Sequence, residues 1–130
     1  MEMATESSFK GSATLKVTYK GKPHLDFDLD KVEGAANNFV AFDKDGKTIL
    51  SIVYPRDVED GETYPFEYPA SHAWGLQFYG DGDARGLDGK VTVVASDDGD
   101  HQTITIDAKY QKVAGKEYVF KGSAVIQYIP

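Results

Sequence analysis

Cysteine is absent from the 130 residues, which removes disulfides, thiolate nucleophiles and Cys-ligated zinc. No apolar run approaches the ~20 residues a membrane-spanning helix requires, so no membrane span is expected. No window sustains the three-to-four spacing of an amphipathic helix; only the segment 29–37 suggests a single helical turn. Basic excess is lacking too. The formal net charge of −7 repels a phosphate backbone and an anionic membrane surface, so nucleic acid is not an expected partner. Gly-x-Ser-x-Gly elbows, phosphate-binding glycine loops and zinc motifs are missing, so no catalytic residue is assigned and an enzyme is not expected. The N-terminus, Met1-Glu2-Met3-Ala4-Thr5-Glu6-Ser7, has neither a basic n-region nor an apolar h-region. It reads as a polar tail, not a signal peptide, and a cytoplasmic or a mature secreted protein would both fit.

What is present is a globular composition, 41% hydrophobic and 27% charged, and enough length for one core. One pentapeptide occurs near both ends, Phe9-Lys10-Gly11-Ser12-Ala13 and Phe120-Lys121-Gly122-Ser123-Ala124. Each copy opens an alternating segment. Phe9, Gly11, Ala13, Leu15, Val17 and Tyr19 share one side; Phe120, Gly122, Ala124, Ile126 and Tyr128 do the same at the other end. A period of two marks a strand with one face on a core. The matched parity predicts that the first and last strands are neighbours.

Asp-Gly and related pairs punctuate the chain at Lys20-Gly21, Asp45-Gly46, Asp60-Gly61, Asp81-Gly82, Asp88-Gly89, Asp98-Gly99 and Ala114-Gly115. Such pairs favour turns, and between them lie nine strand-like segments. A three-residue loop 20–22 would set Val17 opposite Leu25, Leu15 opposite Phe27 and Lys16 opposite Asp26, keeping apolar rows on one face. Segments 48–54 and 91–95 are apolar on both faces, as in covered central strands or a subunit contact. The expected fold is a single all-β domain over 8–130, an antiparallel β-sandwich of roughly 8–10 strands. A small closed β-barrel is the alternative.

Candidate chemistry gathers in two places. The stretch Tyr64–Tyr79 holds the only Trp and dense Tyr and Phe, residue types that serve both cores and ligand surfaces. Tyr68, His72, Trp74 and Tyr79, with Arg85 beyond, are the expected ligand-binding residues, Tyr68, His72 and Tyr79 being the ones expected at the surface. The loop carrying Asp81, Asp83 and Asp88 is long enough to curl around calcium, because closely spaced Asp around Gly supplies oxygen ligands. Turn chemistry explains the same residues without a metal. His24, Asp26, Asp28 and Asp30 share one face of the second strand by alternation; His24 and Asp26 are close enough to share a metal ion, but the four read as a solvated face answering neighbouring lysines.

These features point to a non-catalytic binding or interaction module, a rigid β-scaffold presenting an aromatic and acidic loop face to a carbohydrate or protein ligand. A self-associating assembly protein is the next expectation, making a homo-oligomer. A small barrel carrying an apolar ligand is the third.

Overall fold

The structure is a computed structural model and describes residues 8–58, 62–69, 75–96, 100–113 and 115–129. Its elements are β1 (Ser8–Tyr19), β2 (Lys22–Leu29), β3 (Lys31–Ala35), β4 (Asn38–Phe42), β5 (Thr48–Val53), β6 (Glu62–Tyr68), β7 (Leu76–Phe78), β8 (Arg85–Gly86), β9 (Asp88–Ser96), β10 (His101–Val113) and β11 (Lys116–Ile129). They form a six-stranded sheet, β2-β1-β11-β10-β9-β6, and a five-stranded sheet, β3-β4-β5-β7-β8. Every pairing is antiparallel. The two sheets keep separate edges, so the fold is the expected sandwich and the closed-barrel alternative falls. The chain passes between sheets four times, from β2 to β3 at Asp30, from β5 to β6, from β6 to β7, and from β8 to β9 at Leu87. The helical turn expected within 29–37 is instead the strand β3, whose alternation sends Val32 into the core.

The terminal strands do pair, along their whole length, with Ala13 opposite Ala124. Because the pairing is antiparallel, the two pentapeptides run in opposite directions. Gly122 therefore faces Leu15, and Gly11 faces Ile126. Small residue meets large residue, which lets a buried row interdigitate without voids. A Cβ on Gly122 would lie 3.1 Å from Ile106 Cδ1 and 3.2 Å from Leu15 Cδ2. The side chains of both neighbouring strands fill that notch.

The first hairpin has the expected register, with Leu15 opposite Phe27, Lys16 opposite Asp26 and Val17 opposite Leu25. Its route differs. Lys20 and Gly21, at φ 51° and 78°, make a two-residue turn of the kind that matches strand twist. A register shift at Val17/Thr18 then inserts His24 as an extra residue. Bulge and tight turn together give the parity that a three-residue loop would have given.

The core is formed by the inward rows of both sheets, with Phe78 packed edge-on against Phe120 at 5.0 Å and Phe27 at 5.9 Å. Burying each such side chain contributes about 1.5–3 kcal/mol. Gln102 is 1% exposed and ties the sheets together: its Nε2 donates to Ala35 O at 2.7 Å, and Tyr54 Oη donates to its Oε1 at 2.6 Å. Pro65 lies in β6, an edge strand, where a missing N–H costs no ladder bond. The segment 91–95, expected to be covered on both faces, is covered on one. Val91, Val93 and Ala95 are buried, while Val94 stands 47% exposed on the outer face.

Candidate functional site

At one end of the sandwich the long strands meet the short ones. β10 and β11 run for 13 and 14 residues, while β7 and β8 have 3 and 2. There the inward face of the large sheet carries one cross-strand row, Lys22–Tyr19–Tyr118–Tyr110. The rings step across neighbouring strands, Tyr19 on Tyr118 at 4.6 Å and Tyr118 on Tyr110 at 5.4 Å, both pairs stacked. Tyr110 is buried and rests on Phe78 at 5.8 Å; Tyr118 and Tyr19 are half-buried. The row thus leads from core to solvent. His24 joins it, its ring 4.8 Å from that of Tyr118. The bulge re-aims His24, as bulges do, so it does not share a face with Asp26 and Asp28 as alternation had suggested.

Asp81, in the loop after β7, closes over this row and is 8% exposed. Its Oδ2 accepts from Tyr110 Oη at 2.6 Å and lies 3.1 Å from His24 Nε2; its Oδ1 accepts from Lys112 Nζ at 2.9 Å. Arg85 Nε and Nη2 donate to the Asp81 carbonyl oxygen at 3.4 and 3.3 Å. Burial pushes the Asp81 carboxyl up, but the bonds from Tyr110, Lys112 and His24, with the Lys112 charge, hold it below the ordinary value of 3.8. Burial and the Asp81 carboxylate push the Tyr110 hydroxyl well above 10.0. Asp81 is a buried anion with its acceptor oxygens engaged, and this is what makes such burial tolerable.

The chemistry left for a ligand lies beside it. Among the described residues the hydroxyls of Tyr19 and Tyr118 make no hydrogen bond. Lys20 Nζ stands 5.5 Å from the Tyr19 ring centre and Lys112 Nζ 5.8 Å from that of Tyr118. The rim presents donors and ring edges, while the one carboxylate beneath it is occupied.

Of the expected ligand-binding residues, Arg85 belongs to this cluster. Tyr79 is half-buried in the same loop region, its hydroxyl donating to Gln77 Oε1 at 2.6 Å. Tyr68, expected at the surface, is only 4% exposed. Its hydroxyl donates to Val53 O at 2.9 Å, and that bond satisfies the polar tip within the interior. His72 and Trp74 lie outside the described residues. The calcium set does not converge: no group of three or more His, Asp or Glu side chains is placed to hold a metal among the described residues. Asp81 faces the Lys112 ammonium, Asp83 is exposed, and Asp88 sits opposite Lys109 in the ladder. In the turn between β4 and β5, Asp43 Oδ1 accepts the Asp45 and Lys47 amides, each at 2.9 Å, which is ordinary turn chemistry for Asp.

Sequence reasoning missed Tyr19, His24, Tyr110, Lys112 and Tyr118 as a group. The signal was present in part. Once Ala13 is set opposite Ala124, counting outward puts Tyr19 opposite Tyr118.

Elsewhere, an open groove of about 590 Å³ crosses the outer face between Glu67, Lys90, Asp107, Lys109 and Val119. A smaller apolar cleft of about 180 Å³ lies between Val53, Pro55, Tyr68 and Pro69. No helix of the described residues is long and apolar enough to cross a membrane. Comparison with known proteins finds no matching family model, no matching curated protein and no matching solved structure.

Proposed function

We propose that this chain is a non-catalytic binding module whose working face is the sandwich end built by Tyr19, His24, Tyr118 and the Asp81 loop. The observation that supports it is the row Lys22–Tyr19–Tyr118–Tyr110, anchored in the core at Tyr110 and half-exposed at Tyr118 and Tyr19. Rigid aromatic groups with unengaged polar tips give contact area at low entropic cost, the usual make-up of carbohydrate and protein contact sites. The Asp81 loop lies within the expected face, residues 64–88, while Tyr19, His24 and Tyr118 on the strand ends it covers lie outside it. A glycan array and a panel of immobilised proteins, read for wild type, Tyr118→Ala and Tyr19→Ala, test it. Binding lost in both variants with an unchanged melting temperature supports the site. Binding retained in both overturns it.

A second reading, self-association, draws on the outer face of the six-stranded sheet. Val125 and Val94, 42% and 47% exposed, stand in a charge-free cross-strand row with Ser12, Thr103 and Thr63. Charge-depleted surface of this kind suits the centre of an interface. Light scattering decides it: a monomer mass at every concentration removes this alternative.

A further inference from the structure

We infer that the ligand of the tyrosine row is an anionic saccharide, a short chain of uronic-acid units; this rests on the proposed binding site and names its ligand class. Lys20 and Lys22 are exposed at the turn that begins the row, and Lys22 stands directly opposite Tyr19. Lys112, 5.8 Å from the Tyr118 ring centre, is already paired with Asp81. Ammonium groups only donate, whereas phenol hydroxyls donate and accept. A ligand that satisfies both kinds of group carries carboxylates for the lysines and hydroxyls for Tyr19 and Tyr118. A sugar acid has both on one ring, and its C–H edges suit the flanking aromatic rings.

The length of the row separates an oligomer from a single small anion. Its open part, Lys22–Tyr19–Tyr118, crosses β2, β1 and β11, two inter-strand steps of ~4.8 Å, or about 10 Å. One carboxylate or phosphate group covers only a fraction of that span.

Charge places the site here despite the formal net charge of −7. The nearest carboxylate, Asp81, is neutralised from within by Lys112 at 2.9 Å. Charges elsewhere on the molecule are screened beyond about 8–10 Å at physiological salt. Lys20 and Lys22, both exposed, therefore leave positive charge at this end to meet a short anionic chain.

Calorimetric titration of the full chain with trigalacturonate, with the neutral galactose trimer and with a hexaglutamate peptide tests this. Trigalacturonate is expected to bind, the neutral trimer at least about tenfold more weakly, with affinity falling as salt rises. Lys20→Gln/Lys22→Gln, two exposed positions that leave the core untouched, is expected to weaken trigalacturonate about tenfold, the effect of two surface charge contacts. Tyr118→Phe, which removes only the hydroxyl, is expected to weaken it with no change in melting temperature. Equal binding of both trimers overturns the anionic class while Tyr118→Ala still reports on the site. Hexaglutamate binding above trigalacturonate overturns the saccharide. Absence of trigalacturonate binding overturns the inference outright. If none of these variants alters any ligand found by the glycan and protein panels, the proposed site itself fails.

Discussion

The Tyr110 hydroxyl donates to the Asp81 carboxylate at 2.6 Å, from a residue 4% exposed to one 8% exposed. It is the innermost contact of the Asp81 cluster and joins the six-stranded sheet to the loop that follows β7. A hydrogen bond to a buried charged group is worth about 1.5–3 kcal/mol. Tyr110→Phe keeps the ring on Phe78 and Tyr118 and deletes only that bond. Urea denaturation is expected to show a loss of about 1.5–3 kcal/mol with an unchanged m-value. A loss below about 0.5 kcal/mol would mean that Lys112 and His24 alone satisfy the carboxylate.

Acid sensitivity follows from the same carboxylate. The folded state holds Asp81 below 3.8, because the bonds from Tyr110, Lys112 and His24 outweigh the opposing effect of burial. A depressed folded value contributes stability that is present above the unfolded value and is lost as pH falls through the folded one. Stability at acid pH is therefore expected to fall more steeply in wild type than in Asp81→Asn. Asp81→Asn starts lower, since it removes the ion pair with Lys112, and its acid limb is flatter. Denaturant midpoints across the acid range measure the difference. Parallel curves would show that other carboxylates govern acid unfolding.

Three tyrosines set the alkaline limit. Burial pushes the Tyr68 hydroxyl up to about 12, and raises Tyr54 and Tyr110 further still. A raised folded value gives stability that is intact below the unfolded value of 10.0 and is lost as pH climbs through the folded one. Tyrosinate absorbance is expected to rise in two phases. The hydroxyls of Tyr54, Tyr68 and Tyr110 make up the later phase, which coincides with the loss of β-sheet circular dichroism. A single phase, complete before unfolding, would place all eight tyrosines in contact with solvent.

Much of the fold was legible because alternation and turn chemistry act locally. Leu15 opposite Phe27 and Val17 opposite Leu25 follow from parity, and the paired termini follow from the repeated pentapeptide. The site was less legible, for a physical reason. Parity counting assumes an unbroken ladder, and the bulge before Leu25 breaks it at His24. The residue that reaches Asp81 is thus the one that counting assigns to the opposite face. Tyr68 illustrates a different limit. Whether a tyrosine is surface or core depends on an acceptor for its hydroxyl, and Val53 O comes from a strand 15 residues earlier. β8, two residues long, exists because β7 offers it a partner, not because Arg85-Gly86 favours extension.

The repeated pentapeptide yields a last prediction, since its two glycines face different obstacles. A Cβ on Gly122 would meet only side-chain atoms, the closest at 3.1 Å. Leu15, Ile106 and Phe120 can give by a few tenths of an ångström, so Gly122→Ala falls in the ordinary overpacking range of about 1–3 kcal/mol. A Cβ on Gly11 would sit 2.1 Å from the Val125 carbonyl oxygen and 2.9 Å from the Ile126 Cα. Those are backbone atoms of the paired strand, and they cannot move without parting β1 from β11. Gly11→Ala is expected to cost more than about 3 kcal/mol, above the usual overpacking range. Denaturant melts of the two variants side by side give the comparison. Equal losses would mean that β1 slides or bends at Gly11 more easily than its continuous pairing from Ser8 to Tyr19 implies.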